Sequence, residues 1–164
     1  MAKPVADRVS ANPDRDFVMF LIGMRFNHPW KIHKWVPPFW AMLRMLAHLR
    51  KTPSDQTGCL GTIVATPGLI VQYWRSFEDL EAFAHDAPHQ PAWAKFNRAV
   101  RKARGDVGIW HETYLIRPED HESLYSGMPL HGLGKAMSIV PAKGKMSTAR
   151  KRLNKVPSTQ ETSS

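Results

Sequence analysis

Imidazole, indole and carboxylate side chains cluster between residues 69 and 114 of this 164-residue chain. Trp74 closes the apolar run Leu69-Ile-Val-Gln-Tyr-Trp74, and His85, His89 and Trp93 follow it. His89 stands directly after Pro88, so its ring is not committed to a helical stripe. It can act as a base, a proton shuttle or a haem ligand. The competing reading is a surface His that bonds locally. His85 falls off the apolar stripe Phe77, Leu80, Phe83 and Ala84, and reads either as a second candidate or as plain surface. Trp74 and Trp93 together suit an apolar pocket wall.

A second group lies at His111-Glu112, inside a run rich in β-formers from Val107 to Arg117. Strand alternation puts these two side chains on opposite faces. Val107, Ile109, His111 and Thr113 share one face; Gly108, Trp110, Glu112 and Tyr114 share the other. A charge in a central strand needs a partner. Arg25 and Arg75 are the candidates for Glu112, which reads as half of a structural ion pair or as an acid that orients substrate. Arg25, His111 and Tyr114 join it as polar groups able to orient a ligand.

Other chemistries find little support. Eight His residues are present, but His85 and His89 are separated by Pro88 and no zinc-type ligand spacing occurs, so no metal is expected. Gly127, Gly132 and Gly134 follow a polar turn, whereas a dinucleotide loop sits between a strand and a helix. Cys59 is the single cysteine. With no evident base nearby it reads as core filler rather than a nucleophile. No cofactor is expected, with haem left open.

The elements that must position these groups follow from periodicity. Phe17–Phe26 is a continuous apolar run of strand length. Residues 27–38 hold three prolines among aromatics and read as a loop, either a lid over a pocket or a segment packed on the core. Phe39, Met42, Leu43, Leu46 and Leu49 then mark a first helix. Cys59–Thr66 and Leu69–Trp74 flank the turn signal Pro67-Gly68, so they read as a hairpin. Ser76 is an N-cap for a second helix, which Pro88 breaks and Pro91 restarts. Gly105 stops it, and the strand from Val107 closes the pattern.

The order is β-α-β-β-α-β, the ferredoxin-like arrangement of the α+β class with a four-stranded antiparallel sheet. Two helices cover only one face of such a sheet, so a homodimer is expected over the other. Residues 1–14 read as a flexible arm, 15–136 as the domain, and 137–164 as a basic, disordered tail. Residues 135–164 carry seven basic side chains and one acid, +6 of the net +9. This charge reads as a solubilising tail, and no motif supports specific nucleic-acid binding. No apolar run is long enough to cross a membrane. The N-terminus lacks an apolar signal segment, and one lone cysteine suits a reducing compartment. Together these point to the cytoplasm.

Five segments carry a family resemblance. They are Phe20-Leu-Ile-Gly-Met-Arg-Phe-Asn-His-Pro-Trp-Lys31, Gln72-Tyr-Trp-Arg-Ser-Phe-Glu-Asp-Leu80, Pro91-Ala-Trp-Ala-Lys-Phe-Asn97, Gly108-Ile-Trp-His-Glu-Thr-Tyr114 and Met128-Pro-Leu-His-Gly-Leu-Gly-Lys-Ala136. Over about residues 17–136 the chain resembles the dimeric α/β-barrel superfamily of antibiotic-biosynthesis monooxygenases. Within it, the chain resembles a branch that includes a fumagillin-pathway monooxygenase. The resemblance implies a homodimeric oxidoreductase that oxidises a small hydrophobic or aromatic compound between helices and sheet. The resemblance matches Trp74 to the superfamily's Trp and His85 or His89 to its His; joined to the reading of the residues above, it makes Trp74, His89 and Glu112 the catalytic candidates, with Trp93, Tyr114, Arg25, His111 and His85 around the substrate. The superfamily also holds haem degraders and aldoxime dehydratases, so a haem-binding enzyme or a non-catalytic binder is the alternative. Its haem degraders use an Asn early in the first strand, and the first strand here has none before Asn27. The cofactor-independent members let the bound substrate activate oxygen.

Overall fold

A computed structural model describes residues 2–66, 68–85 and 90–153, with the side chains at 90–93, 95 and 96 outside the description. The elements are β1 (Val9–Ala11), β2 (Phe17–Phe26), α1 (Ile32–Lys51), α2 (Ser54–Thr57), β3 (Cys59–Thr66), β4 (Leu69–Trp74), α3 (Phe77–His85), α4 (Gln90–Lys102), β5 (Val107–Ile116), α5 (Leu133–Ala136), β6 (Ile139–Pro141) and α6 (Ala149–Leu153). The chain divides into two compact units, Val18–Tyr114 and Met1–Phe17 with Leu115–Ser164.

The first unit carries the β-α-β-β-α-β pattern expected from the sequence. Its sheet runs β3-β4-β2-β5, and β4 pairs antiparallel with both β2 and β3. The register sets Val18, Phe20 and Ile22 opposite Trp74, Gln72 and Ile70. Because side chains alternate, these six share one face. That face meets α1, whose buried side chains Pro38, Met42, Leu46 and Leu49 recur at helical spacing. Met24, Ile70 and Val107 join Met42, Leu46 and Ala103 of the segment after α4 in one core cluster. Val18, Leu49, Trp74 and Leu80 form a second.

Helix α1 starts seven residues before the sequence predicts, at Ile32, and contains both Pro37 and Pro38. Each proline lacks an N–H, so the carbonyls of His33 and Lys34 lose their usual helical partners. Tertiary contacts hold the turn instead. Trp35 packs against Phe26 with ring centroids 4.8 Å apart, and its Nε1 donates to the Pro29 carbonyl at 2.9 Å. The predicted loop is thus helical from Ile32 on, with Trp35 packed on the core, while residues 27–31 remain a turn with Trp30 exposed. At α3 the predicted cap is present: the Asp79 N–H donates to Ser76 Oγ at 3.1 Å. Gly105 has φ +83°, as a helix stop requires.

The second unit departs from the reading of the two ends. The stretch read as a flexible arm holds β1, which pairs antiparallel with β6 of the segment read as tail. Ser10 and Ala11 are fully buried. The Ala11 N–H donates to Ser123 Oγ at 3.0 Å. His121 is buried too, its ring 5.8 Å from Phe17. Three-residue strands leave no periodicity to read, so sequence pattern could not find them. The tail also packs at α6, where Arg152 is buried. Residues 154–164 lie outside the described ones. Among the described residues no helix is long and apolar enough to cross a membrane.

Candidate active site

Between the inner sheet face and helices α1 and α3 lies a cavity of about 270 Å³. The sheet contributes Phe20, Ile22, Ile70, Gln72, Trp74, His111 and Thr113; α1 adds Met42, Met45, Leu46 and Leu49; α3 adds Phe77, Leu80, Glu81, Phe83 and Ala84. The wall is overwhelmingly apolar, which suits a small hydrophobic guest. Its volume is just under the usual range for ligand sites, about 300–1,000 Å³, so the guest must be small.

Trp74 is fully buried. Its indole packs on Phe83 at 5.2 Å, and its Nε1 donates to Gln72 Oε1 at 3.1 Å. It is therefore both core and cavity wall. Of the other predicted site residues that are described, His111 alone also lines the cavity. Its ring sits 5.7 Å from that of Phe20. His111 and Thr113 share one face of β5, as alternation predicts, and that face borders the cavity, although both residues are exposed.

The same alternation sends Glu112 and Tyr114 to the opposite face. There Tyr114 Oη donates to Glu112 Oε2 at 2.6 Å, and this bond raises the Tyr114 pKa. Glu112 is exposed and β5 is an edge strand of this sheet, so its charge needs no buried partner. Arg75 does not serve Glu112 either. It forms a two-pronged bond to Asp79, with Nε to Oδ2 at 2.7 Å and Nη2 to Oδ1 at 2.9 Å. That pair holds the Asp79 carboxyl below its ordinary value. Arg25 is exposed on β2; alternation puts it on the same face as Glu112. His85 ends α3, exposed. His89 and the side chain of Trp93 lie outside the described residues.

Gln72 was not singled out from sequence. It is 6% exposed and lines the cavity. The available signal was a polar residue at an inward position between Ile70 and Trp74. Cys59 is half-buried beside Thr62, and burial pushes its thiol pKa up, as suits filler rather than a nucleophile.

Haem, which the resemblance leaves open, meets a mixed fit. His111 offers an imidazole on the wall. Among the described lining residues there is no Lys or Arg to pair with propionate carboxylates. A compact neutral guest matches these residues better.

Comparison with known proteins bears on the family and the fold. A family model described as Monooxygenase af470-like matches residues 17–133. The chain is 24% identical over 119 residues to Monooxygenase af470 of Aspergillus fumigatus, covering 66% of this chain and 42% of that protein. It thus spans less than half the length of that relative. Two solved structures share the fold. The aldoxime dehydratase OxdRE, crystallised with butyraldoxime, superposes with a TM-score of 0.61 at 19% identity, over 92% of this chain and 43% of that one. A second aldoxime dehydratase gives 0.55 at 18% identity, over 93% and 45%.

Proposed function

The chain belongs to the monooxygenase af470-like family, and from that premise we propose that it oxidises a small hydrophobic or aromatic compound in the cavity between α1, α3 and the sheet. The observation that carries this reading is the cavity itself. Among the described residues it is apolar on nearly every side and has one imidazole, His111, on its wall. Apolar walls desolvate a guest and hold it beside a proton acceptor.

The reaction need not draw on an external reductant. A methylene made acidic by its neighbours can lose a proton to His111. The resulting carbanion passes electrons to O₂. The balanced outcome is R₂CH₂ + O₂ → R₂C=O + H₂O. The carbon gives up four electrons, one oxygen atom enters the product, and the other leaves as water. Trp74 would shape the wall, and His89 is retained as a second proton carrier on the strength of the resemblance. The non-catalytic alternative is a binder of the same compounds.

Oxygen uptake without added reductant tests this reading, using small aromatic compounds with an activated methylene. We expect one O₂ per product, one labelled oxygen atom from isotopic O₂, and loss of turnover in His111→Ala with binding retained. Binding without uptake across the panel would favour the binder. Haemin is the remaining arm: a saturable Soret shift that disappears in His111→Ala would favour the haem reading.

A further inference from the structure

The amide of Gln72 has a fixed orientation. An indole N–H can only donate, so the group it meets at 3.1 Å must be the Gln72 carbonyl oxygen. The Gln72 NH₂ must then point the other way. The side chain is buried, lines the cavity, and its amide nitrogen has no acceptor among the described residues. That nitrogen is not sealed inside the protein, so it can exchange water for an acceptor on a guest, and a hydrogen bond made against apolar walls adds net affinity.

We propose that the Gln72 amide is the anchor for a carbonyl or enolate oxygen on the ligand. This inference rests on the cavity being the ligand site and narrows the ligand class to small, mostly apolar compounds with one acceptor oxygen. The sheet register supports it. Gln72 on β4 stands opposite Phe20 on β2, and Phe20 stacks beside His111 on β5. Three adjacent strands thus carry donor, apolar floor and imidazole in one row. Two strand spacings, about 10 Å, separate the backbones of Gln72 and His111, and their side chains reach over Phe20. A one- or two-ring ketone can therefore hold its oxygen at Gln72 and turn its acidic C–H toward His111. An oxygen held by a donor also accepts the charge that develops when that proton leaves. Gln72 is accordingly a binding residue that selects ketones over hydrocarbons.

Calorimetric titration of the full chain with 1-tetralone and with tetralin, its carbonyl-free counterpart, tests the anchor. We expect the ketone to bind about 2- to 12-fold more tightly, the value of one net hydrogen bond. Gln72→Met should erase that preference while keeping tetralin affinity. Because this substitution also strips Trp74 of its acceptor, a second measurement uses the unaltered chain: the side-chain amide resonances of Gln72 should shift with 1-tetralone and not with tetralin. Equal binding of the two compounds, a preference that survives in Gln72→Met, or unmoved Gln72 amide resonances would overturn the anchor and leave the cavity as a binding site. Binding of neither compound would overturn the cavity reading, and the anchor with it.

Discussion

Arg152 of α6 lies buried against Glu122, thirty residues earlier in the chain. Its Nε donates to Glu122 Oε1 at 2.8 Å, its Nη2 bonds the same oxygen, and its Nη1 donates to the Met146 carbonyl at 2.9 Å. The basic segment is therefore folded at least to this point by an ion pair, where no apolar stripe exists to do it. Arg152→Ala should cost about 3 kcal/mol, the lower end for breaking a buried pair, since Glu122 keeps some solvent contact. Truncation after residue 142 should cost at least as much, whereas truncation after 153 should keep the pair. Chemical denaturation midpoints measure all three; an Arg152→Ala midpoint equal to that of the unaltered chain would rule the pair out as a fastener.

Trp74 should behave as a core residue as well as a wall. Trp74→Ala removes a fully buried indole and should cost about 3–5 kcal/mol. Trp74→Phe keeps much of the packing but leaves Gln72 Oε1 without its donor. It should cost about 1–3 kcal/mol. Urea denaturation ranks the two. A Trp74→Ala cost below about 1 kcal/mol would contradict the burial.

Much of the fold was legible in these residues because strand and helix periods differ. The hairpin Cys59–Thr66 and Leu69–Trp74 carries a Pro-Gly turn between apolar runs, and its ends match the structure. Alternation alone set His111 and Glu112 on opposite faces, but which face borders the cavity was not legible, and the sequence reading drew candidates from both. The start of α1 was hidden because Pro37-Pro38 reads locally as a stop, while Trp35 overrides it through contacts with Phe26 and Phe39. Strand β1 was hidden because Val9-Ser-Ala11 is too short to show a period. Gln72 was hidden for another reason: nothing in a sequence says which way an amide turns until its indole partner is in place.

Asp106 joins two loops of the sheet unit. Its Oδ1 lies 2.8 Å from Lys31 Nζ and 2.7 Å from His28 Nδ1. Lys31, and then His28, hold the Asp106 carboxyl below its ordinary value against the opposing effect of burial. A depressed carboxyl pKa stabilises the fold above the unfolded-state value, about 3.9. That stabilisation is lost as pH falls from there through the lower folded value. Asp106→Asn should therefore be less stable than the unaltered chain at pH 7, with the gap closing below about pH 4. Denaturation midpoints across this range check the sign, and a gap that stays constant down to pH 3 would show that the carboxylate charge is not what matters.

The outer face of the sheet is where we expect a second copy of the chain. Trp110 and Tyr114 point there and are 41% and 45% exposed. Trp110 lies across Gly23 of β2, where any Cβ would collide with the indole. The glycine thus lets a large aromatic lie against the strand and present apolar surface outward. Together with Met19, Leu21, Val71 and Tyr73, which alternation places on the same face, it makes an apolar patch of the kind that partners cover. Light scattering should give a mass near twice 18.6 kDa. Trp110→Glu should yield the monomer, because a carboxylate in the patch would have to be desolvated on association. The cavity opens on the other side of the sheet, so tetralone affinity should survive this change. A monomeric unaltered chain, or a Trp110→Glu variant that remains dimeric, would refute the assignment of this face.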